Sequence, residues 1–203
     1  MCEREGALLR RGMHFRVRGG HSVLLMSVRP DAPYRDDLSE DGTVLHYEGH
    51  DAPRRGGQDP KAVDQPLHTP QGALTQNGLF FQAALAARAG EAAPERVQVY
   101  EKLRGGVWTD NGTFLLVDAR QEHDGARHVF VFRLEAVGAE GEGAERRRVI
   151  PGWVMREVWE RQEGECAECG ELEDLHFEVV PPGAVPTPET VRLVCSSCGL
   201  EAS

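Results

Sequence analysis

Four cysteines constrain this chain more than any other feature. Cys166 and Cys169 are separated by two residues, as are Cys195 and Cys198, and 25 residues lie between the pairs. Paired Cys-x-x-Cys segments at that spacing suit a four-thiolate zinc site, where the metal supplies folding energy that a short segment cannot draw from its own apolar core. The other reading is two disulfides. Met1-Cys2-Glu3-Arg4 lacks the apolar stretch of a secretory signal, and no segment approaches the roughly 18 consecutive apolar residues of a membrane span. A cytoplasmic location without membrane association is therefore expected. Disulfides are rare in that compartment, which favours structural Zn²⁺.

The charge is unevenly placed. Residues 157–203 hold eleven acids and two arginines, which accounts for −9 of the net −10. The remainder is close to neutral, and its bases cluster at Arg4, Arg10, Arg11, Arg16 and Arg18 and again at Arg54, Arg55 and Lys61. A local basic surface can meet phosphates whatever the total charge. The acidic tail argues against tight non-specific DNA binding.

With 203 residues, the chain has room for one sizeable domain and a small appendage. The first 150 residues read mainly as β. Ser22 to Ser27, Val44 to Tyr47, Val97 to Tyr100, Phe114 to Val117 and His128 to Leu134 have strand character, and Asp110-Asn111-Gly112-Thr113 predicts a hairpin turn. Gly78 to Ala89 predicts a helix stopped by Gly90, and Gly152 to Gln162 a second. Residues 138–146 read as a linker.

Tyr34-Arg35-Asp36-Asp37 and Tyr47-Glu48-Gly49 bring two aromatic rings and a carboxylate close in sequence. A flat heterocycle fits between two phenol faces, and a carboxylate at its edge can accept from an exocyclic amine such as N4 of cytosine. Around this stretch a Ser-Val-Leu-Leu strand is followed by Tyr-x-Asp-Asp, Tyr-x-Gly, a basic loop over 50–63, Asp64-Gln65-x-Leu67, an Asn77-containing helix start, Val-x-Val and Asn-Gly-x-Phe. In that order, residues 12–137 resemble the SRA (YDG) domain. The resemblance implies a PUA-like β-barrel that flips modified cytosine out of double-stranded DNA. It implies Tyr34 and Tyr47 as the stacking rings and Asp37 as the reader of the Watson–Crick edge, with Glu48 and Gly49 completing the pocket. Glu48 stands where the family commonly has a small hydroxyl residue, which bears on the 5-substituent accepted. The family's duplex-contacting loops map onto 15–21, with Arg16 and Arg18 near phosphates, and onto 50–63, with Arg54 or Arg55 inserted and Lys61 alongside.

The tail runs from Cys166-Ala-Glu-Cys169 through Leu175-His176-Phe177-Glu178-Val179-Val180-Pro181 to Cys195-Ser-Ser-Cys198-Gly199. From about Ile150 onward it resembles the four-cysteine HNH endonuclease module, which implies a ββα-metal fold. Its catalytic positions depart from that family. Val179 stands for the general-base histidine, Thr190 for the asparagine and Gly199 for the terminal metal-binding His or Asn. Valine cannot take a proton from water. The short stretch after Cys198 is expected to clip the family's final helix. The expected architecture is thus α+β and mainly β, with an SRA-like barrel over 1–148 and a small zinc domain over 149–203. The expected function is recognition of 5-methylcytosine or 5-hydroxymethylcytosine by base flipping, with an inactive zinc module that docks a second copy or a partner nuclease. The alternative is a modification-dependent HNH restriction endonuclease.

Overall fold

The computed structural model describes residues 5–199, apart from 7, 10, 19, 28–31, 40–41, 55, 105–106 and 138–149. The expected linker over 138–146 and the expected DNA contact Arg55 therefore lie outside the described residues. Among the described residues no helix is long and apolar enough to cross a membrane.

Seven strands form one mixed sheet: β1 (Met13–His14), β2 (Ser22–Met26), β3 (Asp37–Leu38), β4 (Val44–Glu48), β5 (Glu95–Arg104), β6 (Val107–His123) and β7 (His128–Ala136). Their order is β1-β2-β5-β6-β7-β4-β3. The β2–β5 ladder is parallel, because the chain crosses over through β3, β4 and a helix before returning, and the other ladders are antiparallel. The fold is α+β and mainly β, as expected. The ladders run from β1 at one end to β3 at the other, so the described residues give a sheet with two ends where a closed barrel was expected.

Helix α1 (Gln76–Arg88) begins where the Thr75 side chain accepts from Gly78 N at 3.2 Å, and it ends before Gly90, whose φ is +72°. Its Phe80 and Ala84 are buried against the sheet, where Phe80 meets Phe132 edge to face. Phe114, Leu116, Phe130 and Leu134 complete that main core. On the opposite face, Leu9, Val23 and Tyr100 form a second cluster with Trp108.

The Asn111-Gly112 pair does not make the predicted hairpin. Gly112 has a φ of +83°, and the register shifts there from Gln98↔Thr113 to Tyr100↔Asp110, so one residue bulges inside a continuous β6. The β6–β7 turn falls instead at residues 124–127, where Asp124 Oδ1 accepts from Ala126 N and Arg127 N. Asn and Gly favour positive φ in a bulge as readily as in a turn, and a local dipeptide does not distinguish the two.

Helix α2 (Gly152–Arg161) packs Val154 and Val158 on Val191 and Leu193 of a separate two-stranded ladder, β8 (Leu175–Val179) with β9 (Val191–Cys195). Its first turn rests on β5. Gly152 lies so close to Glu101 that a side chain there would overlap the carboxylate, and Arg156 Nη1 stands 3.6 Å from Glu101 Oε1. Burial pushes the Glu101 carboxyl up to about 7, against the opposing effects of the Asn111 hydrogen bond and Arg156. A carboxyl raised in the folded state stabilises the fold fully below its ordinary unfolded value, and that contribution is lost as pH rises through the folded value. The melting temperature is therefore expected to fall between about pH 5 and about pH 8, and Glu101→Gln to flatten that slope. Equal slopes in the two proteins, measured by calorimetry across that range, would remove Glu101 as the cause.

Candidate functional site

A cavity of about 540 Å³ opens between the N-terminal segment, the end of β2 and the segment that leads into β3. Tyr34, Asp36, Tyr47, His50, Trp108 and Lys102 contribute to its wall. Exposure alternates along the segment entering β3: Tyr34 half-buried, Arg35 exposed, Asp36 half-buried, Asp37 exposed. A two-residue period sends Tyr34 and Asp36 to one side and Asp37 to the other. Asp37, expected as the reader, pairs with His46 across the β3–β4 ladder and stays outside the cavity. The carboxylate in the wall is Asp36.

Asp36 is held from two sides. Its Oδ2 accepts from Ser27 N at 3.1 Å and its Oδ1 from Glu48 N at 3.2 Å. Burial nevertheless raises its pKa to about 7, since two backbone donors offset only part of the lost hydration. Each oxygen keeps a lone pair for a ligand.

Tyr47 lies on the core face of β4 and is 1% exposed. Its hydroxyl donates toward Leu25 O at 3.4 Å and meets His50 Nε2 at 3.2 Å. Glu48 faces the other way. It accepts from Arg35 N at 3.0 Å and Gln65 Nε2 at 3.3 Å, and pairs with Arg127 at 3.5 Å. Strand alternation thus keeps Glu48, expected to bear on the 5-substituent, out of the cavity wall. Gly49 is also outside the wall. It is glycine because a Cβ would sit 2.7 Å from Gln65 Oε1 and 2.8 Å from Asn77 Oδ1.

Those two amides continue β4 where the ladder stops. Gln65 donates to Gly49 O at 2.6 Å and accepts from Phe130 N at 2.8 Å. Asn77 accepts from His50 N at 2.8 Å and donates to His50 O at 2.9 Å. The main chain of His50 is thus fixed, and its imidazole stacks on Tyr34 with centroids 5.5 Å apart and planes 23° apart. Burial lowers the His50 pKa to about 4, so the ring is neutral at physiological pH.

The expected DNA contacts are scattered. Arg16 pairs with Glu95 at 3.1 Å beside a smaller cleft against α1, and Arg18 and Arg54 are exposed away from the cavity wall. Lys61 Nζ lies 4.2 Å over the Tyr34 ring and 3.1 Å from Asp51 Oδ2, so it braces the tyrosine. Arg11 and Lys102 line the cavity, with Lys102 Nζ 5.9 Å from the Trp108 ring centre.

In the tail the four cysteines converge. Their sulfurs lie within 4.8 Å of one another, and Cys169 and Cys195 are 3.7 Å apart. A tetrahedron with metal–sulfur bonds of about 2.3 Å has edges of about 3.8 Å, so this donor set fits a four-coordinate metal. Each Cys-x-x-Cys turn is closed by the following glycine, Gly170 N donating to Cys166 O and Gly199 N to Cys195 O, both at 2.9 Å. Donating to the sulfurs of Cys169 and Cys195 pushes the Cys198 thiol up to about 12, and a bound divalent cation would let all four be thiolates together. The side chains at the positions singled out in the tail have structural partners. Val179 packs with the Val154–Leu193 cluster, Glu178 pairs with Arg192 at 2.9 Å, and Thr190 Oγ1 donates to Val185 O at 2.7 Å. Gly199 lies against His176, where a Cβ would come within 2.6 Å of the ring.

No protein-family model matches the chain, and no curated protein matches it. Solved structures similar to it include the SUVH5 SRA domain with fully methylated CG DNA, at 21% identity over 66% of this chain and 78% of that one, with a TM-score of 0.42. The SUVH5 SRA domain bound to fully hydroxymethylated CG DNA gives 20% identity, the same coverage of 66% and 78%, and a TM-score of 0.42. Arabidopsis thaliana SUVH6 in complex with SAM is 17% identical over 83% of this chain and 26% of its own, with a TM-score of 0.42.

Sequence reasoning missed Asp36, His50, Gly12 and Trp108 as parts of the cavity. The alternation in Tyr-x-Asp was the available signal for Asp36. No local signal marks Gly12, whose missing side chain makes room for groups of another strand: a Cβ would sit 2.5 Å from His50 Nε2 and 2.6 Å from the Tyr47 hydroxyl.

Proposed function

We propose that this chain is an SRA-type reader of modified cytosine in duplex DNA, with Tyr34 as the stacking ring and Asp36 as the reader of the amino edge. The observation that carries the proposal is a half-buried carboxylate, oriented by two backbone N–H groups, on the wall of an aromatic cavity. The ionised Asp36 accepts from N4 of cytosine, whereas thymine presents a carbonyl at that position that the carboxylate repels. Unstacking a base costs a few kcal/mol, and stacking on an aromatic ring returns about 1–3 kcal/mol. Arg11 and Lys102, at the cavity, are suited to phosphate contacts. Tyr47 supports the cavity from within the core and is not a free stacking face.

The tail serves this reader as a zinc-held scaffold. It is a degenerate HNH module whose would-be catalytic positions carry structural side chains, and it offers docking to a second copy or a partner. The sheet over 1–148 and the tail over 149–203 act as separate domains, since each has its own apolar cluster.

The test is binding to matched duplexes bearing cytosine, 5-methylcytosine, 5-hydroxymethylcytosine or thymine at one site. Preference for a modified cytosine is expected. Tyr34→Ala should weaken that binding by about 1–3 kcal/mol. Asp36→Asn should relax discrimination against thymine, because its amide can donate to O4. Equal affinity for all four duplexes, unmoved by Tyr34→Ala, would end the proposal.

A further inference from the structure

His50 occupies the stacking surface that a base would need. Among the described residues the two tyrosine rings each meet His50 and not one another: Tyr34 at 5.5 Å and 23°, Tyr47 at 6.4 Å and 46°. A base lying on Tyr34 requires a clear slab of about 3.5 Å above the ring, the contact distance between carbon atoms. The imidazole stacks toward that space with its centroid 5.5 Å from the ring centre, and Lys61 Nζ stands 4.2 Å from the same centre. Its seat is shaped for it: Gly12 has no side chain where a Cβ would come within 2.5 Å of Nε2, and the Tyr47 hydroxyl lies 3.2 Å from the same nitrogen. Its main chain is pinned by both hydrogen bonds to Asn77, so the ring can leave by side-chain rotation alone, with no movement of β4.

We infer that His50 is an internal surrogate for the base, stacked on Tyr34 in the free protein and displaced when a nucleobase enters. This rests on the reading of the cavity as a base pocket. Displacement sacrifices the stack on Tyr34 and the contact with Tyr47, and that cost is the same whichever base arrives. The surrogate therefore lowers affinity for every everted base by one common factor and leaves the ratio between bases to Asp36 and the cavity wall. Every occupant meets the same threshold, so the surrogate sets how fully the pocket is occupied and not which base is preferred.

Fluorescence anisotropy on duplexes with a single 5-methylcytosine or cytosine tests this with wild type, His50→Ala and Tyr34→Ala. His50→Ala is expected to bind both duplexes about two- to tenfold tighter, the worth of one aromatic contact, with the ratio unchanged. Tyr34→Ala is expected to bind both more weakly. If wild type prefers the methylated duplex and His50→Ala binds it no more tightly than wild type does, His50 is a platform or a bystander: the surrogate is overturned and the base pocket stands. If wild type and His50→Ala both fail to distinguish the duplexes, the pocket reading falls and the surrogate with it. The intact protein gives a second readout that does not depend on how the variant folds. The His50 ring protons should be shifted upfield by Tyr34 in the free protein and should move downfield on adding the methylated duplex. Resonances that stay in place on saturation would overturn the inference.

Discussion

Removing the metal from the four-thiolate tail is expected to unfold residues 163–199 and leave the seven-stranded sheet intact. Zinc binding to small cysteine modules is worth about 10–16 kcal/mol at neutral pH, comparable with or larger than the whole stability of a typical domain. The tail has little to set against that loss. Its own apolar cluster is built on Val154, Val158, Val191 and Leu193, and Cys166 and Cys195 sit in a second small cluster that a bound metal would close. The sheet shares neither cluster, and its ladder includes neither β8 nor β9. Treatment with a strong chelator, or Cys195→Ser, should abolish amide-exchange protection in β8 and β9 while protection in β5, β6 and β7 persists. Protection lost together in both parts would show that they fold as one unit. Metal analysis of the purified protein should give one zinc per chain.

Arg127→Ala is the single substitution expected to damage the sheet domain most, by about 3–5 kcal/mol. The Arg127 side chain is 1% exposed and meets three carboxylates, Asp51 at 2.5 Å, Glu48 at 3.5 Å and Asp124 at 3.6 Å. It also donates to Pro60 O at 2.5 Å and Val63 O at 3.3 Å, which ties both ends of the 51–63 loop to the β6–β7 turn. Truncation leaves Glu48 and Asp51 without their buried cation, and the cost is mainly that of uncompensated charge. Adding Glu48→Gln and Asp51→Asn to Arg127→Ala should therefore recover part of the loss, although each of the two alone weakens the wild type. Urea denaturation of the set measures this. A triple variant no more stable than Arg127→Ala would assign the cost to the loop carbonyls.

Local pattern made the regular elements legible. The Ala- and Leu-rich run with a threonine cap and a terminal glycine is α1, the apolar run from Ser22 is β2, and the spacing of Cys166, Cys169, Cys195 and Cys198 places four sulfurs together. What stayed hidden depends on side-chain direction and on partners distant in sequence. Asp37, expected at the pocket, stays off the cavity wall, and the alternating exposure along 34–37 puts Asp36 there. Glu48 drew attention by standing next to Tyr47, yet strand alternation turns it toward Arg127, 79 residues away. His50 had no motif to announce it. Its position follows from Asn77 and Gly12, neither of which signals a histidine on its own.

The extra residue at Asn111-Gly112 swaps the inside and outside of one strand partway along its length. Phe114 and Leu116 face the main core, whereas Trp108, which shares their even parity, joins Leu9, Val23 and Tyr100 on the reverse side and reaches the cavity. Were the same residues paired without the bulge, the register would slip by one and the indole would be delivered to the wrong surface. The irregularity thus works as a parity switch, allowing a single long strand to pack the interior at one end and wall the cavity at the other.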